Sequence, residues 1–528
     1  LVANVLFAVP FLLMAVPLLA AFAPLWQGGL SANLARILTE PRFMRSFGFG
    51  LGQAGASTLL AVVLGLPGAY LLAMKRFPLK RLLAALTAVP FCVPPLIVAI
   101  GFVLFYGRSG WLNTMAMTVF RLSEPPLNFL YSFAGLVMTH GFYNFPLVVS
   151  MVGDAWSTTA ASHEDAARLL GAGRLRVFWT ITIPAIAPSI GAAASIVFLM
   201  CFFSFVIVLL FGGPGVATPE VELYRAARFE FDRSLASAFA LVETLVAITV
   251  LWIYGTLERR IAASRQETGH PRTAEAFHSK QGAVLAFLYG LMILVFFMGP
   301  LAAIVAESFK VSSRVYGAGT WGFGNYDMLL RDTGFGMALV NTIMIGMLAA
   351  TLATLAGFML SVLLKRSRSV LVSNILPMLP LAISAVILAY GWSTILGQGT
   401  ILTLAAVQAV SAYPFILRAV QGSIGQSDEQ LVDAAMTLGS SRFDALVRVR
   451  LPLAMPAILT GFAFAFAISA GDANAIIVAP VPGMETMALL LYRLAGSYRF
   501  NAACAVAVVL AFLSGFVFFM KDHRHGQH

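Results

Sequence analysis

Two carboxylates lie inside otherwise apolar stretches of this chain: Asp472 in AISAGDANAI and Glu243 in FALVETLVAI. An ionisable group so placed is costly and needs a partner or a purpose. Asp472 can be a polar group facing a path through the protein. It can equally be a carboxylate paired with a neighbouring helix or set near an interface. Gly471 beside it permits a close backbone approach or a helix break. Glu243 has no partner in its own segment, which leaves a functional role or a helix–helix hydrogen bond. His140, Tyr143 and Asn144 form a third polar cluster, in which Asn144 can satisfy the carbonyl freed by Pro146. Phe202, Phe203 and Phe205 flank Ser204, either as an aromatic gate or as rings facing lipid and neighbouring helices.

These residues do not assemble into a catalytic set. The chain contains no G-x4-G-K-[ST] phosphate loop, no H-E-x-x-H, no nucleophile elbow and no kinase signature. No catalytic residue and no metal ligand is assigned. Cys92, Cys201 and Cys504 each sit in an apolar run without a C-x-x-C pair, and read as small packed side chains.

The elements that must position these groups follow from composition. Of 528 residues, 59% are hydrophobic and 11% charged, and the mean hydropathy is +0.87. A soluble domain carries roughly 25% charged residues. That excludes a soluble enzyme, a disordered chain and a disulfide scaffold, and leaves an all-α polytopic membrane protein. Apolar runs of about 20 residues are expected to span a bilayer. They fall near 1–26, 47–74, 82–106, 130–153, 186–211 and 236–256, then 282–306, 336–364, 370–396, 400–421, 455–479 and 500–520. About twelve transmembrane helices are expected, as two halves over 1–256 and 282–528 joined by a polar linker over 257–281. The first run lacks a basic n-region and a cleavage signature, and is expected to be a retained helix. The net charge of +11 reads as lysine and arginine on cytoplasmic loops, which would put both termini in the cytoplasm. No basic run with interleaved aromatics points to nucleic acid.

The two halves are copies. At an offset of 268 residues, Pro146 meets Pro414, Asp165-Ala166-Ala167 meets Asp433-Ala434-Ala435, and Leu170-Gly171 meets Leu438-Gly439. Arg174 meets Arg442, Pro184 meets Pro452, Pro188 meets Pro456, Pro214-Gly215 meets Pro482-Gly483, and Leu223-Tyr224-Arg225 meets Leu491-Tyr492-Arg493. Biased composition aligns Leu and Ala by chance, but not Pro, Gly, Asp, Tyr and Arg in one register. Six helices per copy make the repeats parallel, with a path expected between them. In that register Asp472 corresponds to Ser204.

The segment before the fifth span of each half is the most informative. It reads SHEDAARLLGAGRLRVFWTITIPAI from Ser162 and SDEQLVDAAMTLGSSRFDALVRVRLPLA from Ser427. Ser162 with Asp165, and Ser427 with Gln430, predict a capped helix start. Gly171 and Gly439 predict a left-handed stop. The result would be a rigid knob with a small Ala-Ala face, acidic at its start and followed by a basic second helix. The spacings D-A-A-x3-G-x9-I-x-I-P (165–184) and D-A-A-x3-G-x9-V-x-L-P (433–452) resemble the "EAA" loops of binding-protein-dependent ABC importer permeases, with Asp for the family's Glu. The loops extend over about 158–185 and 423–453. The fused double length resembles the branch serving thiamine and ferric iron. YGRSGWLNT (106–114), HGFYNFP (140–146), LMCFFSFVIVLLFGG (199–213), SAGDANAII (469–477) and LYRLAGSYR (491–499) are similar to thiamine permeases.

The resemblance implies a type I importer permease in a bacterial inner membrane. Asp165, Ala166, Ala167, Gly171, Asp433, Ala434, Ala435 and Gly439 would dock two copies of a cytoplasmic ABC ATPase. A periplasmic solute-binding protein would deliver the cargo. ATP with magnesium would be bound by the ATPase, with no cofactor on this chain. Residues proposed for the translocation path are Asn144, Phe202, Ser204, Phe205 and Asp472. The cargo would be thiamine or its phosphates, with ferric iron as the alternative. An ion-coupled secondary transporter, requiring a carboxylate relay, is the more distant reading.

Overall fold

The computed structural model describes residues 2–27, 33, 35, 39–88, 93–158, 161–212, 216–265, 275–277, 279–311, 319–364, 376–423 and 426–525. The chain is helical almost throughout. In a bilayer every backbone N–H and C=O must be satisfied within its own segment, and the helix does this. The first half comprises α1 (Val2–Trp26), α2 (Pro41–Met74), α3 (Lys80–Ala88), α4 (Pro95–Tyr106), α5 (Trp111–Phe120) and α6 (Phe133–Thr158). It continues with α7 (Ala161–Leu169), α8 (Arg174–Val177), α9 (Ile183–Phe202), α10 (Val206–Phe211), α11 (Pro219–Arg225) and α12 (Arg233–Arg265). The second comprises α13 (Lys280–Ile293), α14 (Gly299–Ser308), a hairpin of β1 (Lys310–Val311) and β2 (Thr320–Trp321), α15 (Gly324–Arg331), α16 (Thr333–Leu364) and α17 (Ala385–Leu396). Then follow α18 (Ile401–Ser423), α19 (Gln426–Thr437), α20 (Arg442–Ala445), α21 (Leu451–Gly471), α22 (Asn474–Val478), α23 (Met487–Gly496) and α24 (Phe500–His525). In the hairpin Lys310 pairs with Trp321 and Val311 with Thr320, antiparallel.

The 268-residue register holds element by element. α6 and α18 begin at equivalent residues, as do α8 and α20, α9 and α21, α10 and α22, and α11 and α23. Even the wide π turns match: Phe178–Thr182 and Leu446–Arg450 precede Pro184 and Pro452. A proline contributes no N–H to the ladder, and a wider turn is a common response to that break. Upstream of α6 the offset grows, because the first half carries α5, an additional helix between α4 and α6.

Among the described residues ten helices are long and apolar enough to cross a membrane. The third segment of each half is interrupted. The third segment of the second half, expected over 370–396, contains a 3-10 turn at Leu376–Ala382 and then only α17. Its first-half counterpart is broken between α3 and α4. Pro94 and Pro95, like Pro377 and Pro380, interrupt the ladder. The last helix contributes its apolar part over Phe500–Gly515. Positions 89–92 and 365–375, with Cys92, Lys365, Arg366 and Arg368, lie outside the described residues, as do Pro214 and Gly215. The linker also begins later than 257: α12 continues to Arg265, and Glu258 on this extension pairs with Arg418 of α18 at 2.6 Å. Most of the remaining linker, 266–274, is outside the described residues.

Packing uses small residues where backbones approach, as expected when lipid removes the hydrophobic drive between helices. Gly65 of α2 faces Val148 of α6, and the repeat-equivalent Gly357 of α16 faces Ile416 of α18. The first helices are exchanged between halves. α1 packs on α17, with the Pro17 carbonyl over Gly391; α14 packs on α4, with the Pro300 carbonyl over Gly101. Gly101 and Gly391 occupy equivalent positions of α4 and α17. The halves are therefore interlocked. Outward faces carry exposed leucine and valine, such as Leu12, Leu19, Leu59 and Val63.

Candidate functional site

The paired loops are built alike. In the first, the Gly171 N–H donates to the Arg168 carbonyl and the Ala172 N–H to the Ala167 carbonyl, each at 2.9 Å. In the second, the Gly439 N–H donates to Met436 and the Ser440 N–H to Ala435, each at 3.0 Å. This is a Schellman stop in both copies. It requires a left-handed residue, and Gly171 and Gly439 have φ of 86° and 94°. Their open faces meet nothing within 4 Å. Asp165, Ala166, Asp433 and Ala434 are exposed, and Ala167 and Ala435 half-buried. Leu170 and Leu438 are 89% and 88% exposed, so each knob presents an unpartnered leucine next to its Ala-Ala face.

The helix starts differ from the expected capping signature. α7 and α19 begin one residue before Ser162 and Ser427, which therefore lie inside the helices. The first knob is instead fastened by Glu164, whose buried carboxylate accepts from Thr182 Oγ1 at 2.6 Å and pairs with Arg168 at 3.3 Å. Sequence reasoning passed over Glu164 because its repeat position is Val432 and it therefore carries no repeat signal.

The second feature is a cavity of about 330 Å³ between the halves. Both fifth-type helices break at its wall. α9 stops at Phe202 and resumes as α10; α21 stops at Gly471 and resumes as α22. Ser204 and Asp472 sit in the two gaps, at equivalent positions. Asp472 Oδ1 accepts from the Asn474 N–H at 3.0 Å and so starts α22. Gly471 fits beneath Pro94: a Cβ there would fall 2.5 Å from the ring.

Each break is tied to the preceding long helix by an equivalent pair. His140 of α6 and Ser204 are 2.6 Å apart, Nε2 to Oγ. Gln408 of α18, the repeat position of His140, donates to Asp472 Oδ2 at 3.3 Å and accepts from Ser469. One architecture thus carries a neutral pair in the first half and a carboxylate in the second. Gln408 escaped sequence reasoning, although extending the repeat register from His140 would have found it.

Of the path candidates, Asn144, Ser204, Phe205 and Asp472 line the cavity. Phe202 does not; it is fully buried behind the wall, stacked on Phe198 at 5.8 Å and close to Gly50. Asn144 donates to the His140 carbonyl at 3.0 Å, not to the Phe142 carbonyl that Pro146 leaves free. Glu243 is fully buried, and neither oxygen has a hydrogen-bond partner among the described residues, so the expected helix–helix bond is not found. A further buried carboxylate, Glu220, accepts from Ser384 on the cavity wall. No group of three or more His, Cys, Asp or Glu among the described residues could hold a metal ion. Trp26 and Trp321 are 68% and 65% exposed.

The family described as the binding-protein-dependent transport system inner membrane component matches residues 61–263 and 342–523. The chain belongs to this family. It is a multi-pass membrane transport component with two copies of the family's domain fused in one chain. A thiamine transport system permease protein ThiP of Brucella abortus (strain 2308) is 28% identical over 482 residues, covering 88% of this chain and 84% of that protein. ThiP of Salmonella typhimurium is 24% identical over 525 residues, covering 97% and 94%. A crystal structure of a bacterial alginate ABC transporter with its pentasaccharide-bound periplasmic protein shares 19% identity and covers 48% of this chain and 89% of that one, with a TM-score of 0.39.

Proposed function

We propose that this chain is the membrane-spanning permease of an ATP-driven importer in a bacterial inner membrane, and that its cargo is thiamine or its phosphates. The observation that carries the cargo is the similarity to thiamine permeases over most of both chains. ATP hydrolysis belongs to a separate ATPase, two copies of which seat on Asp165–Gly171 and Asp433–Gly439 from the cytoplasm. Leu170 and Leu438 supply the apolar contact, and the glycine stops keep each knob rigid enough to transmit a push. A periplasmic binding protein delivers the cargo to the opposite face. ATPase closure draws the loops together and turns the central cavity outward; hydrolysis resets it. The chain's own residues perform no bond chemistry in this cycle.

The test is reconstitution with the cognate ATPase and binding protein in proteoliposomes, followed by uptake of labelled thiamine and of ferric iron. Thiamine uptake that requires ATP and the binding protein is the expected result. Ferric uptake without thiamine uptake would reassign the cargo. Uptake driven by an ion gradient without ATP would overturn the importer reading.

A further inference from the structure

The two breaks that wall the cavity are equivalent in backbone and unlike in charge. Ser204 and His140 present a neutral pair, whereas Asp472 presents a carboxylate held by Gln408. Asp472 is partly accessible and lines the cavity. The fully buried Glu220 lies within electrostatic reach of it. The protein as a whole has a formal net charge of +11, yet no lysine or arginine is among the described residues lining the cavity. Among the described wall residues His140 is the one basic side chain, and its Nε2 is engaged with Ser204. Aromatic side chains from both halves line the same cavity: Tyr143, Phe203, Phe205, Phe415 and Phe464. Phe415 and Phe464 meet edge to face at 5.1 Å.

We infer that the cavity is a transient, one-way-round subsite for an organic cation with flat rings, in which Asp472 takes the charged end and the aromatic side chains take the rings. This rests on the transport reading above and adds to it a specificity-determining residue and a fixed orientation of the cargo. The volume falls within the roughly 300–1,000 Å³ of small-molecule sites. A cation in a desolvated aromatic setting gains from ring faces as well as from the carboxylate. Asp472 is the one carboxylate among the described residues lining the cavity, so the cation is attracted to one break and not to its repeat counterpart. A two-fold pore of identical halves could not distinguish the ends of a cargo lying across its axis; this one does, because the duplication has diverged at residues 204 and 472.

The test uses the full-length chain in lipid nanodiscs without its binding protein. The probes are radiolabelled thiamine, which is cationic, and thiochrome, its uncharged ring-closed oxidation product. Asp472→Asn is expected to weaken thiamine binding at least tenfold and to leave thiochrome binding within twofold. Ser204→Asp in the Asp472→Asn background is expected to recover thiamine binding, because it returns a carboxylate at the equivalent break. Parental thiamine binding in Asp472→Asn, or an equal loss of both probes, overturns the inference while thiamine uptake by the parental complex keeps the cargo reading intact. A parental complex that imports no thiamine overturns both.

Discussion

Gly171 and Gly439 show how little of a side chain a tight helix stop needs. Their φ values of 86° and 94° are available to glycine and cost other residues about 1 kcal/mol or more. Nothing crowds either position, so a substitution acts on the backbone alone. The double variant Gly171→Val/Gly439→Val should insert and purify normally, while co-purification of the ATPase and uptake both fall severalfold. Parental levels of both would remove the loops from the coupling mechanism. Glu243 makes the opposite point. A fully buried carboxylate without a bonded partner among the described residues carries a desolvation cost of about 1–3 kcal/mol or more. Glu243→Gln keeps the shape and removes the ionisable group. Its thermal unfolding midpoint in detergent should match or exceed the parent's; a clear fall would mean that the carboxylate is needed for packing.

At the scale of elements, the exchange of first helices depends on two glycines. A Cβ at Gly391 would fall 1.9 Å from the Pro17 carbonyl oxygen, and one at Gly101 2.9 Å from that of Pro300. Both neighbours are backbone and cannot rotate away. Overpacking of this kind costs about 1–3 kcal/mol, occasionally more. Gly391→Val should lower the thermal midpoint most, Gly101→Val less. Gly52→Ala, on an exposed face of α2 with nothing within 4 Å, should leave it unchanged or raise it slightly, as alanine favours helix. Equal midpoints for all three would contradict the interlocked packing. The same close approach explains why the sequence showed two glycines in apolar runs without revealing their partners. The contacts join positions hundreds of residues apart, and no local pattern encodes them.

For the whole molecule, the proposed topology puts the two loops on one side of the membrane and the connections after α5 and α23 on the other. Single cysteines replacing Arg176 or Ser441 should stay unlabelled by an impermeant thiol reagent added outside intact cells. Cysteines replacing Ser123 or Ser497 should react; all four positions are exposed. Native Cys201 and Cys504 are buried and should add little background. Labelling of the Arg176 or Ser441 site from outside would invert the proposed topology.

Membrane class, duplication and loop geometry were legible from the chain alone because each rests on local rules. Apolar length sets a span, a glycine after an Ala-Ala helix sets a left-handed stop, and a 268-residue register repeats prolines, glycines and charges that chance does not align. The register even paired Asp472 with Ser204 before any coordinates. What it could not give was which polar groups share a cavity. Asn144, Ser204, Phe205 and Asp472 line one wall system while Phe202, next in sequence to the lining residue Phe203, turns into the core. A helix rotates about 100° per residue, so neighbours in sequence part company at a break such as Phe203–Phe205. The broken third segments, the exchanged first helices and the Gln408–Asp472 pair likewise belong to tertiary structure alone. They are set by how helices distant in sequence press together, and by which backbone groups a proline leaves without a hydrogen-bond donor.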